Sequence, residues 1–235
     1  MTKEPLRVLN PIASCAVFCL MLLPLTSRLE AQTVSIPETI EWTWEVRPDN
    51  PNSGLSNVLL LGDSITRNYA PKVAKELEGI ANVYLMASST SVGDPRLARQ
   101  IEEFASMEGI PFQVVHFNNG MHGWAYTEEQ YKAAFPSFLS AVKRIAAPNG
   151  ILIWATTTPV APSASKGATN ERIDARNAIA DALVKAQNIA IDDQHALMLK
   201  HQDLHQDPIH FKAFGSDLQA AQAVKYIRGA LAQLQ

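Results

Sequence analysis

Five short apolar runs, each set off from the next by an amphipathic or polar stretch, restrict this chain more than any other feature. The runs are Asn57–Leu61 (NVLLL), Asn82–Ala87 (NVYLMA), Phe112–Phe117 (FQVVHF), Ile151–Thr156 (ILIWAT) and Ile189–Asp192 (IAID). Each is short and nearly continuous in apolar residues, the pattern of a strand buried on both faces. Between them lie segments with apolar residues at helical spacing. Pro71–Glu78 carries Val73, Ala74 and Leu77, and Leu97–Met107 carries Ile101, Phe104 and Ala105. Thr127-Glu128-Glu129-Gln130 reads as a capping box opening a third helix, and Asn170–Ala186 and Lys212–Leu234 supply two more. Parallel strands need long crossovers, so this alternation predicts one three-layer α/β/α domain around a five-stranded parallel sheet. No repeat or low-complexity linker interrupts it.

The first residues follow another pattern. Lys3 and Arg7 precede an apolar run, Pro11–Leu25, and a polar segment ending at Ala31. That is the order of a secretory signal peptide, and the run, about 15 residues, is shorter than the roughly 20 that span a bilayer. Residues 1–31 are therefore expected to be removed on export, to a periplasmic or extracellular location, with no stable membrane insertion afterwards. Both cysteines, Cys15 and Cys19, lie in this segment, so disulfide and thiol chemistry are not expected in the mature chain. Residues 32–56, polar and marked by Trp42 and Trp44, read as a leader packing onto a domain that fills 57–235.

Charge narrows the partners. The formal net charge is −3 over 235 residues, with no basic run or acidic tail, so nothing resembles the electrostatic footprint of a nucleic-acid binder. Oligomeric state is not legible.

In an open parallel sheet, ligands bind beyond the carboxyl ends of the strands. Chemistry-bearing residues stand there. Gly62-Asp63-Ser64-Ile65-Thr66 follows the first run, where a serine at a strand-to-helix turn projects its hydroxyl next to helix-start N–H groups. His116-Phe117-Asn118-Asn119-Gly120 closes the third run, and an asparagine amide there is suited to an oxyanion. Asp207-Pro208-Ile209-His210 precedes the last helix and pairs an imidazole base with a carboxylate that would fix its tautomer. The alternatives are ordinary ones: a helix cap for Ser64, a turn for Asn-Gly.

Together and in this order, the three elements resemble the SGNH (GDSL-like) hydrolase family, whose fold is flavodoxin-like. The resemblance runs from Val58 to the final helix. It implies Ser64 as nucleophile, His210 as base and Asp207 as its carboxylate partner. It also implies an oxyanion hole from the N–H groups of Ser64 and Gly93 and the amide of Asn119, with Asn118 as the other candidate. Gly93 has a second reading as a turn glycine with positive φ. His122 and Trp124 are candidate cleft residues. His201, His205 and His210 with Asp203 and Asp207 raise a metal site, but the triad reading already uses two of them; no metal or cofactor is expected.

The implied activity is carboxylic ester hydrolysis through an acyl-enzyme. Export and the lack of an apolar lid insertion favour an acetylated carbohydrate as substrate. A lysophospholipase or broad lipid esterase is the alternative enzyme, and a non-catalytic carbohydrate-binding or cell-envelope protein the alternative from another class.

Overall fold

The computed structural model describes residues 1–2, 34–162 and 167–234. The chain divides into Met1–Ala31 and Gln32–Gln235. The expected signal peptide lies, apart from Met1 and Thr2, outside the described residues.

The second unit is a three-layer α/β/α domain. Its strands are β1 (Thr43–Val46), β2 (Ser56–Gly62), β3 (Ala81–Ser88), β4 (Phe112–Phe117), β5 (Ala146–Ala155) and β6 (Ala190–Asp192). Its helices are α1 (Ser64–Glu76), α2 (Arg96–Glu108), α3 (Glu128–Ile145), α4 (Asn170–Lys185), α5 (Gln194–Leu199) and α6 (Ala213–Ala232). The strands form one sheet in the order β1-β3-β2-β4-β5-β6. The five apolar runs supply β2 to β6, all parallel.

The expected five-stranded sheet is thus corrected to six strands. Strand β1 joins the edge antiparallel to β3, pairing Trp44 with Ala87 and Val46 with Leu85. It comes from the segment read as a leader. Four residues of mixed polarity carry too little periodicity to announce a strand, and an antiparallel edge strand needs no continuous apolar run.

Alternation along the central strand explains the layers. Val58 and Leu60 enter the apolar cluster with Ile65, Tyr69 and Val73 of α1 and Ala223 and Ile227 of α6. Leu59 and Leu61 point the other way, to Ile101 and Phe104 of α2, Phe135 and Phe138 of α3 and Val184 of α4. All four are at most 2% exposed, and burying each such side chain contributes roughly 1.5–3 kcal/mol. The same burial carries α1 through Pro71, so the helix begins at Ser64 and not at the proline. Helix α3 starts as read: Gln130 N–H donates to Thr127 Oγ1 at 3.2 Å and Thr127 N–H to Gln130 Oε1 at 2.8 Å. His116, fully buried, is held by Asp192 Oδ2 at 2.8 Å, linking β4 to the end of β6. Among the described residues no helix is long and apolar enough to cross a membrane.

Candidate active site

Strand β2 hands over to α1 within three residues. Gly62 is needed there, because a Cβ would lie 2.1 Å from Thr66 Oγ1. Asp63 caps the helix, its Oδ1 accepting the Ile65 N–H at 2.9 Å. Ser64 is therefore the first residue of α1, where backbone N–H groups have no carbonyl of their own helix to meet. Its neighbourhood is buried, and Ser64 itself is 8% exposed.

The Asp207–His210 turn reaches Ser64 from a distant part of the chain. Asp207 Oδ1 accepts the N–H groups of Ile209 and His210, both at 2.8 Å. Asp207 Oδ2 stands 2.8 Å from His210 Nδ1, and His210 Nε2 stands 2.7 Å from Ser64 Oγ. Burial pushes the Asp207 carboxyl up, but the two backbone N–H groups and then the His210 ring outweigh it and hold it below its ordinary value. An ionised carboxylate only accepts, so the proton between the two belongs on Nδ1. The Nε2 lone pair is left to receive the Ser64 hydroxyl. The turn is anchored by Pro208 O, which accepts the Ala161 N–H at 2.9 Å, and by buried Phe211, stacked on His205 at 4.3 Å.

The two asparagines differ in what they spend. Asn118 Nδ2 donates to Ala155 O at 2.7 Å and Thr157 Oγ1 at 3.1 Å, which uses both its hydrogens. Asn119 Nδ2 donates to Thr90 O at 2.9 Å, while its Oδ1 accepts the Val92 N–H at 2.9 Å. That pairing ties the loop after β4 to the loop after β3 and leaves one Asn119 amide hydrogen without an acceptor among the described residues. Gly93 lies in the second of these loops. Its φ is not positive, so the turn reading does not explain it. Close approach does, because a Cβ would fall 2.5 Å from the Tyr126 ring. The Gly93 N–H rests on Ser91 Oγ at 3.2 Å, a long bond that an oxyanion would have to replace.

His122 is fixed by Glu38 Oε2 at 3.2 Å from Nδ1 and meets the Trp42 ring edge-on at 6.0 Å. Burial pushes its pKa down, but Glu38 and the nearby Asp63 carboxylate outweigh that and raise it overall. Trp124 turns its ring to the arginines of α4, with the Arg176 guanidinium 4.2 Å and the Arg172 guanidinium 5.1 Å from its centroid. Packing is what its position shows. Of the histidines weighed for a metal, His210 is the one within hydrogen-bond distance of Ser64. Among the described residues no group of three or more His, Cys, Asp or Glu side chains converges as a metal site.

The pairings made by several contributors had no sequence signal, although residues 32–56 were expected to pack onto the domain. Residues 35–42 run across both loops: Ser35 Oγ donates to Asp94, Ile36 N–H to Tyr126 Oη, and Trp42 N–H to Ser89 Oγ. Glu38 Oε1 also accepts the Gly123 N–H at 2.9 Å. Arg176 and Arg172 bind the carbonyls of the 120–126 loop. These partners are separated by tens of residues, and no local spacing encodes them.

No family model and no curated protein sequence matches this chain. Solved structures do. A GDSL-like lipase from Bacteroides thetaiotaomicron superposes with a TM-score of 0.61 at 19% identity, covering 77% of this chain and 91% of that one. A protein assigned as an SGNH hydrolase from Slackia heliotrinireducens gives 0.57 at 20% identity, covering 74% and 99%. An acetyl-xylooligosaccharide esterase variant from Geobacillus gives 0.59 at 16% identity, covering 73% and 94%. Identities this low speak to architecture, and the architecture of this chain is the SGNH (GDSL-like) hydrolase fold.

Proposed function

We propose that this chain is an exported serine esterase that removes small acyl groups, foremost acetyl, from carbohydrates. The carrying observation is the relay Asp207–His210–Ser64, with heavy-atom separations of 2.8 and 2.7 Å on the carboxyl-end side of the sheet.

In this mechanism His210 Nε2 takes the Ser64 proton as Oγ attacks the ester carbonyl carbon. The carbonyl oxygen becomes an oxyanion facing the N–H groups of Ser64 and Gly93 and the spare amide hydrogen of Asn119. Collapse breaks the bond to the alcohol, which leaves with the proton from His210. Water then repeats the sequence on the acyl-enzyme, releasing the acid and restoring Ser64. Asp207 stays ionised throughout and steadies the imidazolium. None of these steps calls on a cofactor.

Support for a carbohydrate substrate comes from the signal-peptide pattern and from the acetyl-xylooligosaccharide esterase among the structures of like fold. A longer acyl group is the second reading, and one observation favours it. Trp44 and Val46 lie 51% and 45% exposed beside α1, in a groove of about 400 Å³ shared with Arg67, Ala70, Pro71 and Ala74. Arg67, Pro71 and Ala74 stand three, seven and ten positions beyond Ser64, so the groove starts one turn past the serine and follows α1 for roughly 10 Å.

Hydrolysis of p-nitrophenyl acetate, butyrate and decanoate by the mature chain tests both readings. A preference for acetate supports the first, and a preference for decanoate moves the assignment to a lipid esterase. No turnover, together with no labelling of Ser64 by a fluorophosphonate, would instead favour a non-catalytic binding protein on the same fold.

A further inference from the structure

We propose that Arg176 is a positioning residue for the oxyanion loop, holding the backbone on which Asn119 is carried. The inference rests on the esterase reading for its kinetic consequence, but its geometry stands apart from it.

Arg176 lies in the middle of α4 and is 0% exposed. Its Nη1 donates to Gly120 O at 2.9 Å and His122 O at 2.7 Å, and its Nη2 to Gly123 O at 3.0 Å. The guanidinium carbon lies over two aromatic rings, 4.2 Å from the Trp124 centroid and 5.2 Å from that of Tyr131. Among the described residues one carboxylate pairs with it, Glu128, with Oε1 3.5 Å from Nε. Glu128 is bonded more closely to Arg172, at 2.7 Å. A buried cation whose acid partner is bonded more closely to another arginine is costly to keep in a fold unless the groups it binds need it. What it binds is three carbonyls within four residues directly after Asn119.

The neighbouring contacts make the same point. Tyr131 Oη donates to Asn119 O at 2.6 Å, so the carbonyls of residues 119 and 120 are both drawn toward α3 and α4. Arg172, one turn before Arg176, draws in Trp124 O at 3.0 Å and Tyr126 O at 2.7 Å. With its carbonyls held on one side, the loop presents the Asn119 amide on the other, where it meets Thr90 and Val92. A planar fork with several fixed donors suits three converging carbonyls; a lysine ammonium, a single point on a flexible stem, does not.

The test compares Arg176→Lys, Arg176→Met and Arg172→Met in the mature chain. Amide hydrogen exchange over residues 119–126 reads the loop directly. Turnover of p-nitrophenyl acetate, divided by the sites titrated with a fluorophosphonate, reads catalysis free of any misfolded fraction. The expected result is faster exchange confined to the loop in both Arg176 variants. Per-site kcat should fall about 100-fold in Arg176→Met and about 10-fold in Arg176→Lys, the size of effect that a roughly 1 Å displacement of a catalytic group produces. KM should stay within about threefold, and Arg172→Met should lose much less per-site kcat. If Arg176→Met does not fold, Arg176→Lys alone decides. Unchanged loop exchange and per-site kcat within twofold of wild type would overturn the proposal, as would equal losses in Arg172→Met and Arg176→Met. Faster loop exchange in a protein whose wild type neither turns over nor labels would leave the positioning role standing and reject the esterase reading.

Discussion

Replacing Asn119 by alanine removes two kinds of interaction at once, and the structure separates them. One is architectural: the 2.9 Å bonds to Thr90 O and from Val92 N–H are lost at a side chain 2% exposed. A buried backbone group left without its partner costs on the order of 1–3 kcal/mol, so a clear loss of stability is expected. The other is the spare amide hydrogen. If it meets the developing oxyanion, its removal lowers kcat by about 10²–10³, or roughly 2.7–4 kcal/mol. Asn118→Ala is the matched control. It also strips two bonds, to Ala155 O and Thr157 Oγ1, from a side chain 7% exposed. Its stability should therefore fall comparably, but its amide has no hydrogen left to offer an oxyanion. Urea unfolding midpoints measure the first effect, and kcat per fluorophosphonate-titrated site measures the second. Comparable midpoints with a hundredfold or greater deficit confined to Asn119→Ala are predicted. An equal or larger per-site deficit in Asn118→Ala would refute the argument and assign the oxyanion contact to the other asparagine.

Asp207→Asn keeps an oxygen for the Ile209 and His210 N–H groups but turns an NH₂ toward His210 Nδ1, forcing the proton onto Nε2 and away from its role as acceptor for Ser64. Per-site kcat at pH 7 is expected to drop about 10⁴-fold, and a loss under tenfold would contradict the relay. The raised pKa of His122 has a consequence for stability. Because the folded value exceeds the unfolded one, the stabilisation is fully present below the ordinary imidazole range and is lost as pH rises through the folded value. Melting temperatures at pH 5.5 and 8.5 should therefore show wild type losing more than His122→Gln over that interval; a gap that is constant or widens with pH would show that the Glu38–His122 contact carries no such linkage.

The apolar runs made the sheet legible because parallel strands buried on two faces leave a continuous signature, seen where Val58 through Leu61 alternate between the two cores. The same logic hid β1, whose Trp44 and Val46 alternate over too few residues and stay half exposed. Its brevity hid α5, a six-residue helix capped by Asp193. In the candidate site, Ser64, Asn119 and the Asp207–His210 turn stood out because each follows a strand or precedes a helix in a short recognisable string. Arg176 and Glu38 did not. Their partners at Gly120 and Gly123 lie 56 and 85 residues away, and an arginine within a polar helix stretch reads the same whether it faces water or a loop of carbonyls.

The central claim is that the Ser64 hydroxyl, activated by His210, is the acylated atom. Incubating residues 32–235 and their Ser64→Ala variant with a fluorophosphonate, then locating the adduct by peptide mass spectrometry alongside p-nitrophenyl acetate turnover, measures it most directly. The prediction is stoichiometric labelling at Ser64 in the wild type, with labelling and turnover both absent in a variant of unchanged circular dichroism. Turnover that survives in Ser64→Ala, or an adduct on any other residue, would contradict it.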